Sequence, residues 1–379
     1  MNFDDIRPYH DAEVPAVLHR LQSDAHFQQL MAKALPQFAP GLNPEALLQG
    51  ISSIHDFQIK AIYAIGKLII KHTTDGLSHS GLSELDPDKA YLFISNHRDI
   101  VLDSAFLNII LTEQGWDTTR IAIGDNLLIY PWITDLVKLN KSFVVRRKVS
   151  GISEKLRTAQ NLSAYIRHSI TQDRASVWIA QREGRTKNGV DQTQTALVRM
   201  LDLSGTQATA INYTQLNIVP ISISYELESC DDLKARELLL AAQQGGRYEK
   251  TPGDDLKSMA QGISQAKGRV HFHFGTPLEA LPSETPKNQV YDRVTALIDE
   301  QVVNHYHLWP INWVAYHELT GDEAATGHYT HQEKEKALAY LNQVARRTEL
   351  PAEDMRRQLL ELYANPVIRQ QEQNKKPRP

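Results

Sequence analysis

The chain has 379 residues, with 41 Lys or Arg against 45 Asp or Glu, so its formal net charge is −4 with histidine neutral. Hydrophobic residues make up 41% and charged residues 23%, which is typical of globular proteins and excludes disordered and collagenous chains. The nearly balanced charge argues against a dedicated nucleic-acid-binding protein. The single cysteine, Cys230, excludes an internal disulfide framework and a cysteine-rich metal site, which agrees with a reducing compartment.

The beginning of the chain and its apolar runs bear on membrane contact. Acidic residues, Asp4 and Asp5, stand where an export signal would carry basic and then apolar residues. No run of apolar residues approaches the ~18–20 that a membrane-spanning helix needs. We therefore expect a cytoplasmic protein that contacts a membrane only peripherally.

The first third of the chain has helical periodicity. Apolar residues recur at three- and four-residue steps over residues 14–34 and 44–72, which predicts helices that face a core. Residues 73–88 are rich in Gly, Ser, Asp and Pro, which predicts a loop or a short irregular hairpin.

The middle of the chain alternates between two patterns. Short apolar runs predict strands at residues 90–95, 121–124, 142–145, 176–180, 218–224 and 269–274. Helical patterns lie between several of them, at residues 103–112, 153–171 and 193–202. Strands that alternate with helices predict an α/β fold with a largely parallel sheet and flanking helices. In such sheets ligands bind beyond the carboxyl ends of the strands, so the loops there are the first candidates for a site.

The last third returns to helical periodicity, at residues 288–303, 332–347 and 352–365, and ends in a polar, basic tail. The predicted organisation is a helical region over residues 1–85, an α/β core over residues 86–282 and a helical region with a basic tail over residues 283–379. The tail is expected to be frayed and solvated.

The first motif with chemical potential follows the first core strand and reads Ser-Asn-His-Arg-Asp-Ile-Val-Leu-Asp from residue 95. A histidine at a strand end, His97, with a carboxylate one helical turn later, Asp103, can form a general base and the group that orients it. Asp99 is either an alternative orienter or the cap of the next helix. A protein-kinase catalytic loop is excluded, because Ser104 stands where that loop needs asparagine and the other kinase motifs are missing.

The second motif spans two further strand ends. Gly124-Asp125-Asn126 follows one of them, and Arg146 and Arg147 follow the next. Paired guanidinium groups suit an anion, since arginine presents a planar fork to phosphate. The alternative is one solvated arginine and one in a surface ion pair.

The third motif, Glu183-Gly184-Arg185, lies in a cation-rich turn after the strand predicted at 176–180. Backbone N–H groups and a guanidinium could hold a phosphate there, although an ordinary polar loop has a similar composition. The fourth motif, a buried strand with Pro220 near its start, contributes no reactive side chain.

In this order, the four motifs resemble those of the glycerolipid acyltransferases, the family of glycerol-3-phosphate and lysophosphatidic-acid acyltransferases. The resemblance covers residues 91–226, and residues 269–278 look like the strand and turn that close that domain. The stretch from Gly124 to Arg147 is most similar to the glycerol-3-phosphate branch.

The resemblance implies a role for each motif. It implies that His97 is the general base and Asp103 its orienter. It implies that the acceptor phosphate is bound by residues of the second and third motifs: Asn126, Arg146, Arg147, Glu183, Gly184 and Arg185.

The chain departs from the family pattern twice. Five residues separate His97 from Asp103, where the family has four. The third motif is one residue short, so a register set on Arg185 would place Arg182 at the family's glutamate position and leave the role of Glu183 open.

The function that the resemblance implies is transfer of a fatty acyl group from acyl-CoA or acyl-carrier protein to a hydroxyl of a glycerol phosphate or lysophospholipid. No cofactor or metal is expected, because a base, an oxyanion stabiliser and a phosphate anchor suffice for this chemistry. The expected location is peripheral, on the inner face of the cell membrane, without a nucleic-acid partner. Two alternatives stay open: a thioesterase-like hydrolase that activates water with the same histidine, and a non-catalytic lipid-binding protein.

Histidines outside these motifs are not expected to hold a metal. His271 and His273 project to the same side of a predicted strand. His305, His307 and His317 lie near Trp309 and Trp313, in or beside an aromatic segment at residues 306–316. That segment could enter a membrane interface, but packing against the core is the favoured interpretation.

Overall fold

A computed structural model describes residues 2–38, 44–246, 248–251 and 253–375 of the chain. Within these ranges the chain forms a seven-stranded sheet, with the order β1-β7-β6-β2-β5-β3-β4. The strands are β1 Gly76–Ser80, β2 Leu92–Ser95, β3 Arg120–Gly124, β4 Ser142–Val145, β5 Val177–Ala180, β6 Ile218–Tyr225 and β7 Arg269–Phe274. Neighbouring strands are parallel except β6 and β7, which are antiparallel.

Helices surround the sheet and extend the chain at both ends. In chain order they are α1 Val14–Ser23, α2 Ala25–Phe38, α3 Pro44–Leu48, α4 Ile54–Asp56, α5 Ala64–Thr73, α6 Leu102–Glu113, α7 Pro131–Leu139, α8 Ile152–Thr171, α9 Thr195–Asp202, α10 Thr209–Thr214, α11 Asp231–Gln243, α12 Asp254–Ser264, α13 Lys287–Asn304, α14 Pro310–Thr320, α15 His331–Ala345 and α16 Ala352–Lys375. A π-helical segment, Phe57–Tyr63, connects α4 to α5.

Two apolar layers cover the faces of the sheet. On one face, side chains of β2, β5 and β6 pack with those of α8, α9, α10 and α13. On the other face they pack with α5 and α6. The terminal helices build separate cores, one from α1, α2 and α7 and one from α11 and α14–α16. Burial on both faces explains why the central strands read as continuous apolar runs.

The predicted α/β class and the largely parallel sheet are confirmed. The six predicted strands are present, and the predicted bounds of β4 and β7 are those observed. The division of the chain at residues 85 and 282 stays a prediction; β1, which precedes residue 85, pairs with β7.

The prediction of a loop or a short irregular hairpin over residues 73–88 was wrong for residues 76–80, which form β1 and pair in parallel with the distant strand β7. This edge strand has no apolar run, and its polar side chains are paired across the sheet instead. Ser78 Oγ lies 2.8 Å from His271 Nδ1, and Ser80 Oγ lies 2.8 Å from His273 Nδ1. The two faces of an edge strand need not alternate in hydrophobicity when neighbouring side chains satisfy its polar groups.

Some helix bounds also differ from the predictions. The helix predicted over residues 14–34 is interrupted at Asp24, whose carboxylate accepts a hydrogen bond from Phe27 N (2.9 Å) and starts α2. The last helix continues beyond residue 365, and Gln370 anchors it by donating to the carbonyl oxygen of Val303 (2.9 Å). Of the tail predicted to fray, residues 376–379 lie outside the described residues.

Candidate active site

The loop after β2 is held in place by its two neighbours in the sheet. The side chain of Asn96 accepts a hydrogen bond from Ile223 N (2.8 Å) and donates to Ile223 O (3.0 Å), so it continues the pairing of β2 with β6 beyond the strand end. On the other side, Thr186 N donates to the carbonyl oxygen of His97 (2.8 Å). The backbone of His97 is therefore fixed between strand β6 and the loop that follows β5.

The imidazole of His97 is oriented by Asp103, on the first turn of α6. Its Nδ1 lies 2.9 Å from Asp103 Oδ2, and the ring meets Trp178 edge-on at 6.0 Å. The Asp103 side chain is fully buried, whereas that of His97 is 15% exposed. The imidazole can therefore reach a substrate while one of its nitrogens faces a carboxylate.

The carboxylate of Asp103 accepts several further hydrogen bonds. Oδ2 accepts from the backbone N–H groups of Arg98 (2.7 Å) and Asp99 (3.0 Å), and Oδ1 accepts from the hydroxyl of Tyr225 (3.0 Å). Burial, followed by the charge of Asp103, raises the pKa of Tyr225 well above its ordinary value, so this hydroxyl remains a donor. These donors compensate for burial of the charge.

Asp99, the alternative orienter, lies elsewhere. Its Oδ1 accepts from Val101 N and Leu102 N, each at 2.8 Å, which caps the start of α6. Its Oδ2 accepts from the hydroxyl of Ser229.

Arg147 and the third motif come together at the carboxyl end of the sheet. Arg147 Nη1 forms an ion pair with Glu183 Oε1 at 3.2 Å. Arg185 is only 8% exposed, and its buried Nη1 has no hydrogen-bond partner among the residues that the structure describes. A buried guanidinium nitrogen with unused donor capacity is what an incoming anion requires. Gly184 precedes it with a φ of +72°.

The second motif is divided between two places. Arg147 N donates to Asp125 Oδ1 (3.1 Å), which joins the loops after β3 and β4. Asn126 Nδ2 donates to Asp255 on α12 (3.3 Å), and its buried Oδ1 has no partner among the described residues. Arg146 instead pairs with Asp5 at 3.2 Å and lines a cavity of about 460 Å³ that includes no other predicted site residue. The two adjacent arginines therefore do not form one cluster.

A buried charge network beside the site was missed by sequence reasoning. Arg98 is 1% exposed; its guanidinium pairs with Asp191 and, at 3.3 Å, with Glu228. Lys234 pairs with Glu228 and donates to the carbonyl oxygen of Arg98 (2.7 Å). Burial alone would lower the pKa of Arg98, but its partners, above all Asp191, outweigh burial and raise it.

The network joins the loops after β2, β5 and β6 to α11. In the sequence, the charged residues of this network are marked only by their position in or near loops that follow strands. Solvated charged residues are expected in the same loops, so the position does not distinguish a buried network. Pairing over 93 to 136 residues of sequence depends on the tertiary fold.

A comparison with family models decides the family of this site. The acyltransferase model matches residues 76–224, from β1 into β6, and this range contains every site residue predicted from the sequence. This part of the chain belongs to the acyltransferase family. The match confirms, at the level of the family, the resemblance predicted from the four motifs, and it supports acyl transfer as the type of reaction.

The other comparisons add less about this acyltransferase. The solved structure of the 1-acyl-sn-glycerophosphate (LPA) acyltransferase of Thermotoga maritima is similar at 11% identity, with 77% of this chain and 97% of that chain covered and a TM-score of 0.36. No curated protein matches the chain significantly. Within the described ranges, no helix is both long and apolar enough to span a membrane.

Proposed function

We propose that this acyltransferase moves a fatty acyl group from an acyl thioester, acyl-CoA or acyl-carrier protein, to a hydroxyl of glycerol-3-phosphate or a lysophospholipid. The observation that carries the proposal is the pairing of a partly exposed His97 with a buried Asp103 (2.9 Å), beside an arginine with an unused, buried donor. The first pair suits proton removal from a hydroxyl and the second feature suits a phosphate. We also propose that the protein works at the inner face of the cell membrane as a peripheral enzyme.

In the proposed mechanism, His97 removes the proton from the acceptor hydroxyl as its oxygen attacks the thioester carbonyl. Asp103 accepts the hydrogen bond from Nδ1–H, so the free Nε2 is the nitrogen that takes the proton, and the carboxylate stabilises the imidazolium. The tetrahedral intermediate then expels the thiolate, which takes the proton from the imidazolium. One O–C bond forms and one S–C bond breaks, without oxidation or reduction.

The acceptor phosphate is proposed to bind at Arg185 and Arg147. Arg185 is buried. The next residue in its loop, Thr186, donates a backbone hydrogen bond to the carbonyl oxygen of His97. Arg147 is bound to Glu183, and an incoming phosphate would compete with that carboxylate for the guanidinium. Asn126, Gly184 and Arg146 stay candidate contacts, and Arg146 is the weakest of them because its guanidinium already pairs with Asp5.

The first test is His97→Ala, assayed with labelled acyl-CoA or acyl-carrier protein and a panel of acceptors. Turnover should fall by about 10²–10⁴-fold, which is the usual contribution of a general base. His79→Ala is a matched control, since His79 lies on β1 at the far edge of the sheet and should retain parent turnover. Parent activity in His97→Ala would contradict the mechanism, and release of free fatty acid without an acceptor would favour a thioesterase-like hydrolase. Binding of lipid without turnover in the parent protein would favour a lipid-binding protein.

The second test concerns the acceptor. Arg185→Ala should raise the KM for the phosphorylated acceptor about tenfold or more and leave the KM for the acyl donor little changed, because the lost contact touches one substrate. Arg185→Lys should restore the acceptor KM only in part, since lysine lacks the bidentate fork. If Arg185→Ala leaves the acceptor KM unchanged, the assignment of a phosphorylated acceptor is wrong, although the assignment of acyl transfer can still hold.

A further inference from the structure

Large apolar side chains are exposed in two neighbouring segments of this protein. Ile152 is 89% exposed and Leu156 49%, and both lie on the first turns of α8, four residues apart and so on one face. Ile129 and Tyr130, just before α7, are 41% and 43% exposed. They account for four of the eight exposed large hydrophobic residues in the described part of the chain. An isolated exposed apolar side chain needs no explanation, but a concentration of them indicates a contact surface.

Both segments lie beyond the carboxyl ends of the strands, as the candidate site does. They follow β3 and β4, which are adjacent and parallel, so their loops leave the sheet side by side. The hydrogen bond from Arg147 N to Asp125 ties the two loops together, and the ion pair of Arg147 with Glu183 links them to the third motif. A surface on these segments is therefore continuous with the site.

The loop after β4 and the first turns of α8 carry an excess of positive charge. Residues 146–157 hold five Lys or Arg and one Asp or Glu, a local charge of 5 − 1 = +4 in a chain whose net charge is −4. The lone acid, Glu154, is paired with Arg157 at 2.8 Å. Lys148 and Lys155 are exposed, and no carboxylate within the described ranges pairs with either ammonium group. These two lysines are thus free to meet anions outside the protein, whereas Arg146 and Arg147 are paired with Asp5 and Glu183.

We infer that this docking surface, formed by Ile129, Tyr130, Lys148, Ile152, Lys155 and Leu156, binds the protein to an anionic lipid membrane. The inference rests on the proposed function in one respect, since it places the site next to a bilayer that holds the lipid acceptor or product. Apolar side chains would enter the interface between headgroups and acyl chains, and the lysines would lie among the anionic headgroups.

A second copy of the chain suits this surface less well. A stable interface between copies buries a contiguous, well-packed patch of about 800 Å² per partner. Here the apolar side chains are interspersed with cations of a single sign, and two such surfaces brought together would repel each other. An anionic membrane satisfies both the charge and the scattered apolar side chains.

The experiment measures binding of the full chain to vesicles of phosphatidylcholine alone and to vesicles that also contain phosphatidylglycerol, by co-sedimentation. The parent protein should bind the anionic vesicles more strongly, and added salt should weaken that binding. Ile152→Ser with Leu156→Ser should weaken binding about tenfold or more, because two exposed apolar side chains are lost. Lys148→Gln with Lys155→Gln should weaken binding to anionic vesicles by roughly tenfold or more and leave binding to neutral vesicles little changed.

Matched controls replace similar residues elsewhere on the surface. Ile211→Ser removes a side chain that is 37% exposed on α10, and Lys336→Gln removes an exposed cation on α15; neither should change vesicle binding. Parent-level binding by the Ile152/Leu156 variant, or equal weakening by the controls, would overturn the inference. So would a dimer in solution that the Ile152/Leu156 variant dissociates, which would assign the surface to a second copy.

The failure of this inference can be told apart from the failure of the proposed function. Acyl transfer to water-soluble glycerol-3-phosphate should persist in the Ile152/Leu156 variant, and vesicle binding should persist in His97→Ala. If vesicle binding is lost while soluble turnover remains, the surface is a membrane contact and the site is intact.

Discussion

Each oxygen of the Asp103 carboxylate has its own donors. Oδ2 faces His97 and two backbone N–H groups, and Oδ1 faces the hydroxyl of Tyr225 at 3.0 Å. The carboxylate can therefore turn only by losing several hydrogen bonds at once. Such an arrangement holds the imidazole in one orientation and one tautomer, which a lone carboxylate on a mobile turn would not.

Tyr225 is therefore expected to position His97, the proposed base, through Asp103. In Tyr225→Phe the carboxylate loses a donor and is held less firmly against the imidazole. The kcat/KM for the acceptor should fall about fivefold, which corresponds to one hydrogen bond of about 1 kcal/mol. The measurement is kcat/KM for the acceptor at a fixed pH.

Tyr213→Phe is the control for losing a buried tyrosine hydroxyl. Its hydroxyl donates to the carbonyl oxygen of Val198 (2.6 Å), within the apolar layer on the α8 face of the sheet. This variant should keep the parent kcat/KM even if it is less stable. An unchanged kcat/KM in Tyr225→Phe would mean that its hydroxyl serves packing alone.

Some contacts between individual residues of the site could be predicted from the sequence, but not all of them. His97 and Asp103 are six positions apart, and a strand that leads into a helix brings such residues together locally. Tyr225 and Asp103 are 122 positions apart, and only the pairing of β2 with β6 makes them neighbours. Nothing in a single sequence marks that tyrosine, since a buried aromatic residue on a strand is ordinary.

At the scale of elements, the loop of the third motif is attached to the last helix. Asn365 on α16 donates to the carbonyl oxygen of Asn188 (2.6 Å). Gly189, with φ of +77°, packs so closely that a Cβ would overlap the carbonyl oxygen of Leu362. The C-terminal helical region therefore supports the loop that carries Arg185.

Gly189→Ala should consequently destabilise the protein more than an alanine at an open glycine. Gly321, at the end of α14, has φ of +72° and nothing near its Cβ position, so it is the matched control. Alanine costs about 1–2 kcal/mol at either position because of the left-handed backbone. The overlap at Gly189 should add roughly 1–3 kcal/mol. Urea denaturation of both variants measures the free energy of unfolding, and equal losses would mean that α16 yields to the added methyl group.

Sequence patterns predict elements unevenly, for physical reasons. Buried strands are continuous apolar runs and were found, whereas α7, α10, α11, α12 and α14 were missed. In α11 the first turn is acidic and partly buried, because Asp231 accepts hydrogen bonds from Tyr340 and Tyr363, both at 2.8 Å. A polar residue that is satisfied inside the protein looks in the sequence like a residue at the surface.

At the scale of the whole molecule, β7 runs antiparallel to β6 and brings histidines of distant segments together. His271 and His273 on β7 meet Ser78 and Ser80 of β1, as described above. The rings of His273 and His305 stack at 4.0 Å, and His271 lies 5.2 Å from His307. The order of the strands brings these histidines together. From the sequence, the alternation of side chains along one strand could predict only that His271 and His273 lie on the same face.

This histidine cluster should make stability depend on pH. Burial, and then the neighbouring imidazoles, lower the pKa values of His271 and His273 from 6.5 to about 4. In the unfolded chain these groups take up protons as the pH falls below 6.5, whereas the folded protein takes them up only near 4. The unfolded state therefore binds more protons in between, and stability is lost as the pH falls through that window. From about pH 6.5 to about pH 5 the loss should be roughly 1–3 kcal/mol.

The free energy of unfolding, measured by urea denaturation across this range, tests the expectation. His271→Gln with His273→Gln removes both titrating groups while keeping polar atoms near Ser78 and Ser80, so its stability should depend less on pH than that of the parent. The control, His19→Gln with His331→Gln, replaces exposed histidines and should keep the parent dependence. The window lies above the pH at which most carboxylates titrate, so a difference between the two double variants reports on the buried imidazoles. If the free energy of unfolding depends on pH identically in the two double variants, water reaches the histidine cluster at little cost. The cluster would then not stabilise the pairing of β1 with β7.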